Sequence, residues 1–494
     1  MKKITSVAIL GGGSAGWMSA AMLSKLMPNI EITLVESKDI GTIGVGEASI
    51  PPLTLFNQTL GINETEFMRE TQASIKLGIQ FENWNQQGDS YMHAFGALGK
   101  DLGFTQFHHY WLKSQQKAET FWDYSFNYQA AKSGKYNLVN QIPNTNLPGL
   151  EHAYHFDAGL YANYLSNLAI RAGVTRVEGL VKAATLVKDS GNVKSIQLSD
   201  GSEIETDLFI DCSGQHAFLI EKVLGTGYED WSHFLPCDRA LAVPSEKLDS
   251  TLPYTKSIAH DTGWQWQIPL QHRIGNGLVY SSRYLADEDA KALLLESLPS
   301  KPVAEPKLIK FKVGRRLKQW NKNCISIGLS SGFLEPLEST SIHLIQSAIM
   351  RLIKLFPQTD AFEFARKEFN KQSAYEFNHI RDFIILHYYL NNKSAPFWKH
   401  CRQMDIPENL KDKIELFKET AEVSRNPEDL FAHTAWQQVM IGQGTVPNKY
   451  HPIADNLTKQ QLSDFLNDLS SIYQKCSKAL PTHDEFLQHY CSKG

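Results

Sequence analysis

The chain has 494 residues, which is long enough for a large hydrophobic core and for two or three domains. Its hydrophobic content of 42%, charged content of 21% and formal net charge of -4 are ordinary for a globular protein. The negative net charge argues against nucleic acid or an anionic membrane as its main partner. The cysteines are scattered without C-x-x-C or zinc spacing, so we expect free thiols in a reducing, cytoplasmic environment and no metal site.

The N-terminal segment predicts a strand–helix–strand unit. Residues 4–10 are typical of a buried strand, residues 15–26 of a helix rich in Ala, Met and Leu, and residues 30–37 of a second strand. Such a βαβ unit implies a parallel sheet. The basic, apolar start also imitates a signal peptide, but glycines interrupt it. No segment reaches the roughly 18 uninterrupted apolar residues of a membrane span.

The turn between this first strand and the helix carries the pattern G-x-G-x-x-G at Gly11, Gly13 and Gly16. In dinucleotide-binding folds these glycines permit a tight turn, a close approach of the pyrophosphate and close helix packing. Glu36 ends the second strand, where an acid would bind ribose hydroxyls. Residues 12–16 also fit the G-x-S-x-G of a hydrolase nucleophile elbow. That elbow normally lies deep in a chain, so the dinucleotide interpretation is favoured.

Two later segments favour FAD over NAD, which shares the same glycine pattern. Residues 207–214 and 324–333 each predict a strand that ends in a Gly turn, as found where flavoproteins return to the cofactor. Each segment alone is more often an ordinary buried strand. Together with the first turn, and in this order, they favour FAD.

The rest of the chain has an irregular part and a helical part. Residues 80–150 lack clear periodicity and predict loops and an inserted module, and residues 159–174 predict an amphipathic helix followed by short strands. From about residue 340 the pattern is helical. Residues 408–421 place their apolar side chains on one helix face, and Thr458 with Gln461 predicts a capping box.

We therefore expect an α/β protein in which a Rossmann-type FAD-binding module, similar to that of flavin monooxygenases, is interleaved with a mainly helical substrate-binding module. The first module would span residues 1–350, with an inserted loop and substrate segment at about 80–150. The second would span residues 351–494 and pack on the first.

Residues 263–270, GWQWQIPL, place two tryptophans one residue apart in front of Pro269. Side chains two residues apart on a strand point to the same face, so Trp264 and Trp266 would line one wall. A core strand that ends at a turn is the simplest interpretation of this segment.

Several motifs together resemble the flavin-dependent tryptophan halogenase family. Besides the glycine pattern, they are GVGEASIPPL (44–53), SIKLGIQFENW around Lys76, YHFDAGLYANYL (154–165), DLFIDCSG (207–214), WQWQIP (264–269), GFLEPLEST (332–340) and RDFIILHYYL (381–390). They cover most of the chain, and W-x-W-x-I-P separates this family from related monooxygenases.

The resemblance implies an enzyme that uses reduced FAD, oxygen and chloride or bromide to form hypohalous acid, while the protein positions the cofactor. The residues expected to bind FAD are Gly11, Gly13, Ser14, Ala15, Gly16, Glu36, Ala48, Ser49, Val181, Leu329 and Ile342. Halide would bind the backbone N–H groups of Thr340 and Ser341. The family more commonly has glycine at position 341, and a left-handed backbone there would be less favourable for serine.

The resemblance also assigns catalytic residues. Lys76 would form a haloamine with hypohalous acid or hydrogen-bond it beside the substrate, and desolvation favours the neutral amine of a lysine. Without its motif, Lys76 would be taken for a solvated surface charge. Glu338 would orient Lys76 or accept the ring proton lost in electrophilic substitution, whereas Glu335 is expected to be structural.

On the substrate side, the resemblance implies that Trp264 and Trp266 separate FAD from the substrate, so that only a small oxidant reaches the lysine. His93 and Phe95 resemble the family's aromatic substrate clamp, although such a pair more often serves packing. Residues 435–455 lack the adjacent tyrosines of the tryptophan-specific members. This difference favours an indole or another electron-rich aromatic over free tryptophan.

The expected partners are a small aromatic substrate and a separate NAD(P)H-dependent flavin reductase, because the chain contains one complete dinucleotide pattern. Nucleic acid and membranes are not expected partners, and a homodimer is an open option. His108 and His109 suggest no metal site, because neighbouring side chains of an extended chain point apart. Two alternatives stay open: a flavin-dependent aromatic monooxygenase (hydroxylase), in which substrate touches the flavin, and a non-catalytic flavin-binding protein.

Overall fold

The structure is a computed structural model that describes residues 2–38 and 46–491. The chain divides into two compact units, and each unit is assembled from three stretches of sequence. The first unit comprises Met1–Gln72, Phe156–Ser232 and Phe311–Asn378, and the second comprises Ala73–His155, His233–Lys310 and His379–Gly494.

Within the described residues, the strands in chain order are β1 (Ser6–Leu10), β2 (Glu31–Glu36), β3 (Gly46–Ala48), β4 (Ser74–Lys76), β5 (Gly78–Glu82), β6 (Ser90–Ala94), β7 (Ala153–Asp157), β8 (Thr175–Glu178), β9 (Val181–Leu186), β10 (Val193–Leu198), β11 (Glu203–Glu205), β12 (Leu208–Asp211), β13 (Tyr228–Asp230), β14 (Arg239–Glu246), β15 (Thr255–His260), β16 (Gly263–Pro269), β17 (Arg273–Tyr280), β18 (Lys307–Lys310), β19 (Gly314–Arg316), β20 (Trp320–Asn321), β21 (Cys324–Ser326) and β22 (Gly332–Phe333).

The α-helices in the same part of the chain are α1 (Ser14–Leu26), α2 (Pro52–Leu60), α3 (Glu64–Glu70), α4 (Phe107–Lys113), α5 (Phe126–Lys132), α6 (Ala158–Arg171), α7 (Asp287–Glu296), α8 (Ser341–Lys354), α9 (Glu363–Tyr389), α10 (Pro396–Gln403), α11 (Glu408–Thr420), α12 (His433–Gly442), α13 (Lys459–Ala479) and α14 (His483–Cys491). Short 3₁₀ turns lie at Ala118–Tyr124, Gly214–His216, Gly328–Ser330, Pro336–Glu338 and Pro452–Asn456, and a π-helical turn lies at Phe218–Val223.

The first unit is built on a six-stranded sheet with the order β20-β21-β12-β1-β2-β8. The strands from β21 to β8 run parallel, and β20 pairs antiparallel with β21. Val7, Ala8 and Ile9 are all buried, which is the pattern of a parallel strand covered on both faces. Helix α1 lies against β1 and β2 and contacts α6 and α8. The predicted α/β fold with a Rossmann-type module is confirmed.

The predicted local elements of both units are found close to their expected positions. The first helix begins at Ser14 and ends at Leu26, and α6 and α11 occupy the two segments predicted to be amphipathic helices. The capping box before α13 is also present. The Thr458 hydroxyl accepts from the Gln461 N–H at 3.2 Å, and the Thr458 N–H donates to the Gln461 side-chain oxygen at 2.9 Å.

The second unit contains a seven-stranded sheet with the order β18-β14-β17-β16-β15-β5-β6. The pairs are antiparallel except that β15 and β5 run parallel. The tryptophan segment forms β16, the middle strand of this sheet. Trp264 and Trp266 share a face, while the intervening Gln265 side chain contacts His260 at 3.0 Å and the Ser297 carbonyl at 3.2 Å.

Residues 80–150 combine loops with several regular elements that the sequence did not predict. They contribute to β5 and contain β6, α4 and α5. Polar side chains are buried here, which hid the strand pattern. Gln80, for example, is buried in β5 and donates to the Tyr91 carbonyl at 3.1 Å. A buried polar residue satisfied by a distant partner interrupts the apolar alternation by which strands are recognised.

The compact units differ from the predicted division of the chain. The boundary predicted at residue 350 falls inside α8, a continuous hydrogen-bonded helix that lies wholly in the first unit. Residues 233–310 lie in the second unit because their strands build its large sheet. As expected, the six cysteines are free thiols. No helix in the described ranges is long and apolar enough to cross a membrane.

Candidate active site

The glycine turn between β1 and α1 has the geometry that its sequence predicts. Gly11 adopts φ +116°, and a Cβ atom there would lie 2.3 Å from the Cys212 carbonyl oxygen. A Cβ at Gly16 would lie 1.8 Å from the Gly11 oxygen, so the helix packs too closely for any side chain. At Gly13, in contrast, no described atom lies within 4 Å of an added Cβ. The second glycine therefore borders open space.

Helix α1 begins at this open space with its N–H groups available. Gly13 is the N-cap residue, no described side chain caps the helix, and the first turn contains no acidic residue. Uncapped N–H groups and the helix dipole attract an anionic phosphate. These residues fit the pyrophosphate of a dinucleotide such as FAD.

Glu36 lies beside the turn but already has protein partners. Its carboxylate accepts from Arg176 Nε at 2.6 Å and from Trp17 Nε1 at 3.3 Å. A Cβ atom at Gly12 would lie 1.5 Å from Glu36 Oε2, so the carboxylate folds over the glycine turn. The contact with Arg176 was missed from the sequence, because it depends on the pairing of β2 with β8.

The three segments predicted to surround the cofactor meet at the same edge of the sheet. Strands β1, β12 and β21 are neighbours and parallel, so their carboxyl ends lie together. A Cβ at Gly328 would lie 2.7 Å from the Ala15 Cβ, and the Ser330 hydroxyl donates to the Asp211 carbonyl.

Asp211 shapes the second of these turns, and this role was not predicted from the sequence. Its buried carboxylate accepts from the Ser213 N–H at 3.0 Å and from the Ser213 hydroxyl at 2.6 Å. It also accepts from the Leu219 and Ile220 N–H groups at 2.8 and 2.9 Å. The motif DLFIDCSG gave the only sequence signal for it.

The other residues predicted to contact FAD lie in several elements of the first unit. Ala48 and Ser49 are buried at the end of β3 and just after it. Residues 44 and 45 of that motif lie outside the described residues.

Val181 begins β9 and belongs to a hydrophobic cluster that includes Leu10 and Val35. Leu329 is half-buried in a 3₁₀ turn, and Ile342 is buried in α8.

The predicted halide residues lie at the start of α8. Thr340 is the N-cap residue, Ser341 is the first helical residue, and neither a capping side chain nor an acidic first-turn residue is found among the described residues. The left-handed conformation occurs at Ser339, with φ +57°, and not at Ser341. Ser341 is helical, so the cost that a left-handed backbone would have for serine does not arise at this position.

Two buried carboxylates precede this helix. Glu335 directly precedes a single 3₁₀ turn and Glu338 is its last residue, and both are almost fully inaccessible to solvent. Their burial does not distinguish the predicted catalytic residue from the predicted structural one. Further along α8, Arg351 and His343 contact Glu376 at 2.8 and 3.1 Å. Burial would raise the pKa of Glu376, but these partners outweigh it and hold the pKa at about 2.

The second unit contains Lys76, and its environment is not that of a surface lysine. Lys76 is 0% exposed, and its Nζ lies 5.2 Å from the centroid of the Phe95 ring. His93 and Phe95 are also buried, and their rings meet edge to face with centroids 6.3 Å apart. The structure therefore brings together the predicted lysine and both residues of the predicted aromatic clamp.

The two tryptophans of β16 are both buried, but their contacts differ. Trp264 packs against Trp84 with ring centroids 6.2 Å apart, inside an aromatic cluster. Trp266 covers Gly277 on β17, where an added Cβ would lie 2.1 Å from the indole. Glycine at that position leaves room for the indole against the sheet. Trp264 is therefore part of the hydrophobic core, independently of the predicted role of the two tryptophans as a wall between FAD and substrate.

His108 and His109 lie in helix α4, so the expectation of an extended chain was wrong. Their ring nitrogens contact the Ala421 carbonyl at 2.8 Å and the Glu422 carboxylate at 3.0 Å. Burial, followed by the charge of His109, lowers the pKa of His108 to about 3. Among the described residues, no group of three or more His, Cys, Asp or Glu side chains could hold a metal ion.

A nucleotide-binding turn at the carboxyl edge of a parallel sheet, joined there by two further Gly turns, is the arrangement of an FAD-dependent enzyme. Comparison with known proteins gives the family. The family model described as "Tryptophan halogenase" matches residues 6–459, and this chain belongs to that family of flavin-dependent halogenases.

Individual relatives align over nearly the whole chain. Tryptophan 7-halogenase RebH from Lentzea aerocolonigenes is 33% identical, and the alignment covers 98% of each protein. The solved structure of Xcc4156, a flavin-dependent halogenase from Xanthomonas campestris, superposes with a TM-score of 0.95 at 44% identity and covers 99% of each chain. BrvH, a flavin-dependent halogenase from Brevundimonas sp. BAL3, gives 0.95 at 41% identity, also over 99% of each chain.

Proposed function

We propose that this enzyme halogenates an electron-rich, indole-type aromatic with reduced FAD, oxygen and chloride or bromide, through hypohalous acid and Lys76. The observation that carries this proposal is the fully buried amine of Lys76 beside Phe95 and His93. Reduced FAD, when bound, would supply the oxidation of halide by oxygen to hypohalous acid.

The first unit would bind the cofactor. The uncapped start of α1 and the open space at Gly13 would hold the pyrophosphate. Glu36 would accept hydrogen bonds from the ribose hydroxyls. Arg176 and Trp17 now donate to its two carboxylate oxygens, so these contacts would rearrange when FAD binds. The remaining predicted contacts, Ala48 and Ser49 among them, would line the same cofactor.

Halide would bind at the start of α8. The N–H groups of Thr340 and Ser341 are the donors there, and the positive end of the helix dipole favours an anion. The described first turn of α8 contains no acidic residue, and the nearby carboxyl groups are those of Glu335 and Glu338 before the helix. Glu338 would accept the ring proton after electrophilic attack or orient Lys76.

Lys76 would hold hypohalous acid, or carry its halogen as a haloamine, next to the aromatic ring. Lys76 is withdrawn from water, and desolvation favours the neutral, nucleophilic form of an amine. The edge-to-face pair of His93 and Phe95 offers ring surfaces against which an indole could stack. Trp264 and Trp266 would keep the substrate away from FAD and leave a passage for a small oxidant.

Free tryptophan is not the substrate that we favour. RebH is named as a tryptophan 7-halogenase and is 33% identical to this chain, whereas the more similar Xcc4156 and BrvH are described only as flavin-dependent halogenases. Residues 435–455 contain no adjacent tyrosines. We propose that an indole without the amino-acid group, or a similar aromatic, is accepted and that a separate NAD(P)H-dependent reductase supplies reduced FAD.

A substrate screen tests the proposal. The enzyme, a flavin reductase, NADH, FAD and oxygen are incubated with indoles and phenols, with and without bromide or chloride, and products are identified by mass spectrometry. We expect halogenated aromatics that require halide. Hydroxylated products that form equally well without halide would support the aromatic monooxygenase instead.

A further inference from the structure

The lysine-bearing strand β4 has three residues, so its position depends on contacts along both of its edges. On one edge, Ser74, Ile75 and Lys76 pair antiparallel with residues 153–155. On the other edge, the Ile75 N–H donates to Nε2 of His483 at a distance of 3.1 Å. A side chain 408 residues away therefore takes the place of a neighbouring strand.

The imidazole of His483 is held in one protonation state by its second nitrogen. Nδ1 lies 2.8 Å from the Thr251 carbonyl oxygen, which can only accept, so Nδ1 carries the proton. Nε2 then has a free lone pair and accepts from Ile75. His483 is 1% exposed, and burial lowers its pKa to about 4. The neutral ring is the form that can make both hydrogen bonds.

The beginning of α14 fixes this ring in place. Thr482 and Glu485 form a reciprocal pair of backbone-to-side-chain hydrogen bonds at 2.8 and 3.2 Å, which defines the start of the helix. The carboxylate of Asp484 accepts from the Thr251 N–H at 3.0 Å. Consecutive residues of α14 thus hold both polar backbone groups of Thr251.

The residue before Ile75 is anchored from a different direction. The Ser74 hydroxyl donates to the Pro269 carbonyl at 2.5 Å and therefore accepts from His155 Nδ1 at 3.1 Å. His155 Nε2 in turn accepts from the Thr255 hydroxyl at 2.9 Å. Pro269 is the last residue of the W-x-W-x-I-P strand, so this motif holds the lysine strand from that side. On the other side of Lys76, the Leu77 N–H donates to the Pro253 carbonyl at 2.8 Å and the Leu77 carbonyl accepts from the Phe95 N–H at 2.9 Å. On the Ser74 side, the imidazole of His483 binds the Ile75 N–H.

We infer that His483 is a positioning residue for the halogenation step. Its neutral imidazole holds the Ile75 amide and so sets the direction in which the Lys76 side chain leaves β4 toward Phe95. This inference rests on the proposed role of Lys76. A displacement of about 1 Å in a reacting group can lower a rate about 100-fold, so a lost backbone anchor would reduce transfer of the halogen.

Two substitutions at His483 separate its two hydrogen bonds. His483→Asn keeps a donor near the Thr251 carbonyl but is too short to reach Ile75, whereas His483→Gln places an amide oxygen where Nε2 lies. His489→Asn, at an exposed position on the same helix, is the matched control. The assay uses indole with bromide and supplied reduced FAD. It measures the fraction of oxidised flavin that is recovered as bromoindole, with released hypobromous acid trapped by a thiol.

We expect this fraction to fall about tenfold in His483→Asn while the rate of flavin oxidation stays within about twofold of wild type. It should stay within about twofold of wild type in His483→Gln and His489→Asn. A purely structural role would lower flavin oxidation and product together and leave the fraction unchanged. An unchanged fraction in folded His483→Asn, or an equal loss in His483→Gln, would overturn the inference.

Asp484→Ala provides a milder variant if His483→Asn does not fold. It removes the contact to the Thr251 N–H and leaves the imidazole present, so the fraction should fall about twofold to threefold. No fall in this folded variant would then overturn the inference. Lys76→Ala, assayed in parallel, tests the proposed function separately: bromoindole formed there at the wild-type fraction contradicts the role of Lys76 itself.

Discussion

The glycine turn of the first unit and the lysine cluster of the second unit, formed by Lys76, His93 and Phe95, are built in opposite ways. The turn uses backbone atoms of residues 11–16. Its φ values, its uncapped N–H groups and the close contact of Gly16 with Gly11 lie within one short segment, and the Cys212 carbonyl limits the space beside Gly11. The lysine cluster depends on side chains from β4, β6, β7, β15 and α14, and hydrogen bonds join partners up to hundreds of residues apart in the sequence. A backbone site is therefore local, and a side-chain site depends on the whole fold of its unit.

Among the substitutions that test this comparison, the largest loss of stability is expected at the glycine turn. A Cβ at Gly16 would overlap the Gly11 carbonyl at 1.8 Å, so Gly16→Ala should destabilise the protein by about 3 kcal/mol. Gly13→Ala adds a methyl group to open space and should change stability by less than about 0.5 kcal/mol. It should nevertheless weaken FAD binding by about tenfold or more, because the methyl group occupies the phosphate approach.

Denaturant unfolding and FAD titration of both variants check this pair. We expect Gly13→Ala to weaken FAD binding and to leave the free energy of unfolding nearly unchanged. Equal destabilisation by the two alanines, or wild-type FAD affinity in Gly13→Ala, would mean that the open space does not receive the cofactor.

The loss of stability at low pH tests the second unit, in which buried, neutral histidines make hydrogen bonds. Burial lowers the pKa of His108 to about 3 and of His483 to about 4, below the ordinary value near 6.5. In the unfolded chain these rings gain protons below pH 6.5, while the folded protein keeps them neutral. Their stabilising effect is thus complete above pH 6.5 and is lost as the pH falls toward 4 and 3.

Each of these histidines should lower the free energy of unfolding by about 1.4 kcal/mol for every pH unit below 6.5. Urea unfolding at pH 7.5 and pH 5.5 measures the loss. His483→Gln removes one titrating ring and should reduce the slope by about one proton. A free energy of unfolding that does not change between these pH values would contradict the assignment of neutral rings.

A smaller effect is expected at the capping box of α13, which is as local as the glycine turn but lies away from the proposed chemistry. Thr458→Ala removes an acceptor for the Gln461 N–H and should lower stability by about 1 kcal/mol. Thermal unfolding measures this change. The yield of halogenated product per flavin oxidised should stay at the wild-type value, and a clear change in that yield would show that α13 affects the lysine cluster.

Features that depend on residues close together in the chain could be predicted from the sequence. The glycine turn, the apolar face of α11 and the Thr458 capping box depend on spacing within one element, and all three are present. Buried polar residues are harder to interpret. Asn127 lies buried with its amide 2.6 Å from the Glu151 carbonyl, a partner that no local pattern indicates.

The same limit explains the other missed features. The pair of Glu36 with Arg176 follows from strand order, and the helical state of His108 follows from packing in the second unit. The division of the chain follows from which strands share a sheet, so no composition change marks it near residue 350. Lys76 was found through the motif around it, and its burial beside Phe95 became visible only in the fold.

The most direct test of the account compares flavin oxidation with product formation in wild type and Lys76→Ala, with Lys399→Ala as an exposed lysine control in the same unit. Both rates are measured in one reaction with indole and bromide. The account predicts that Lys76→Ala oxidises reduced flavin at nearly the wild-type rate, while bromoindole formation falls about 10²–10⁴-fold and free oxidant accumulates. Bromoindole formed by Lys76→Ala at nearly the wild-type rate would contradict it.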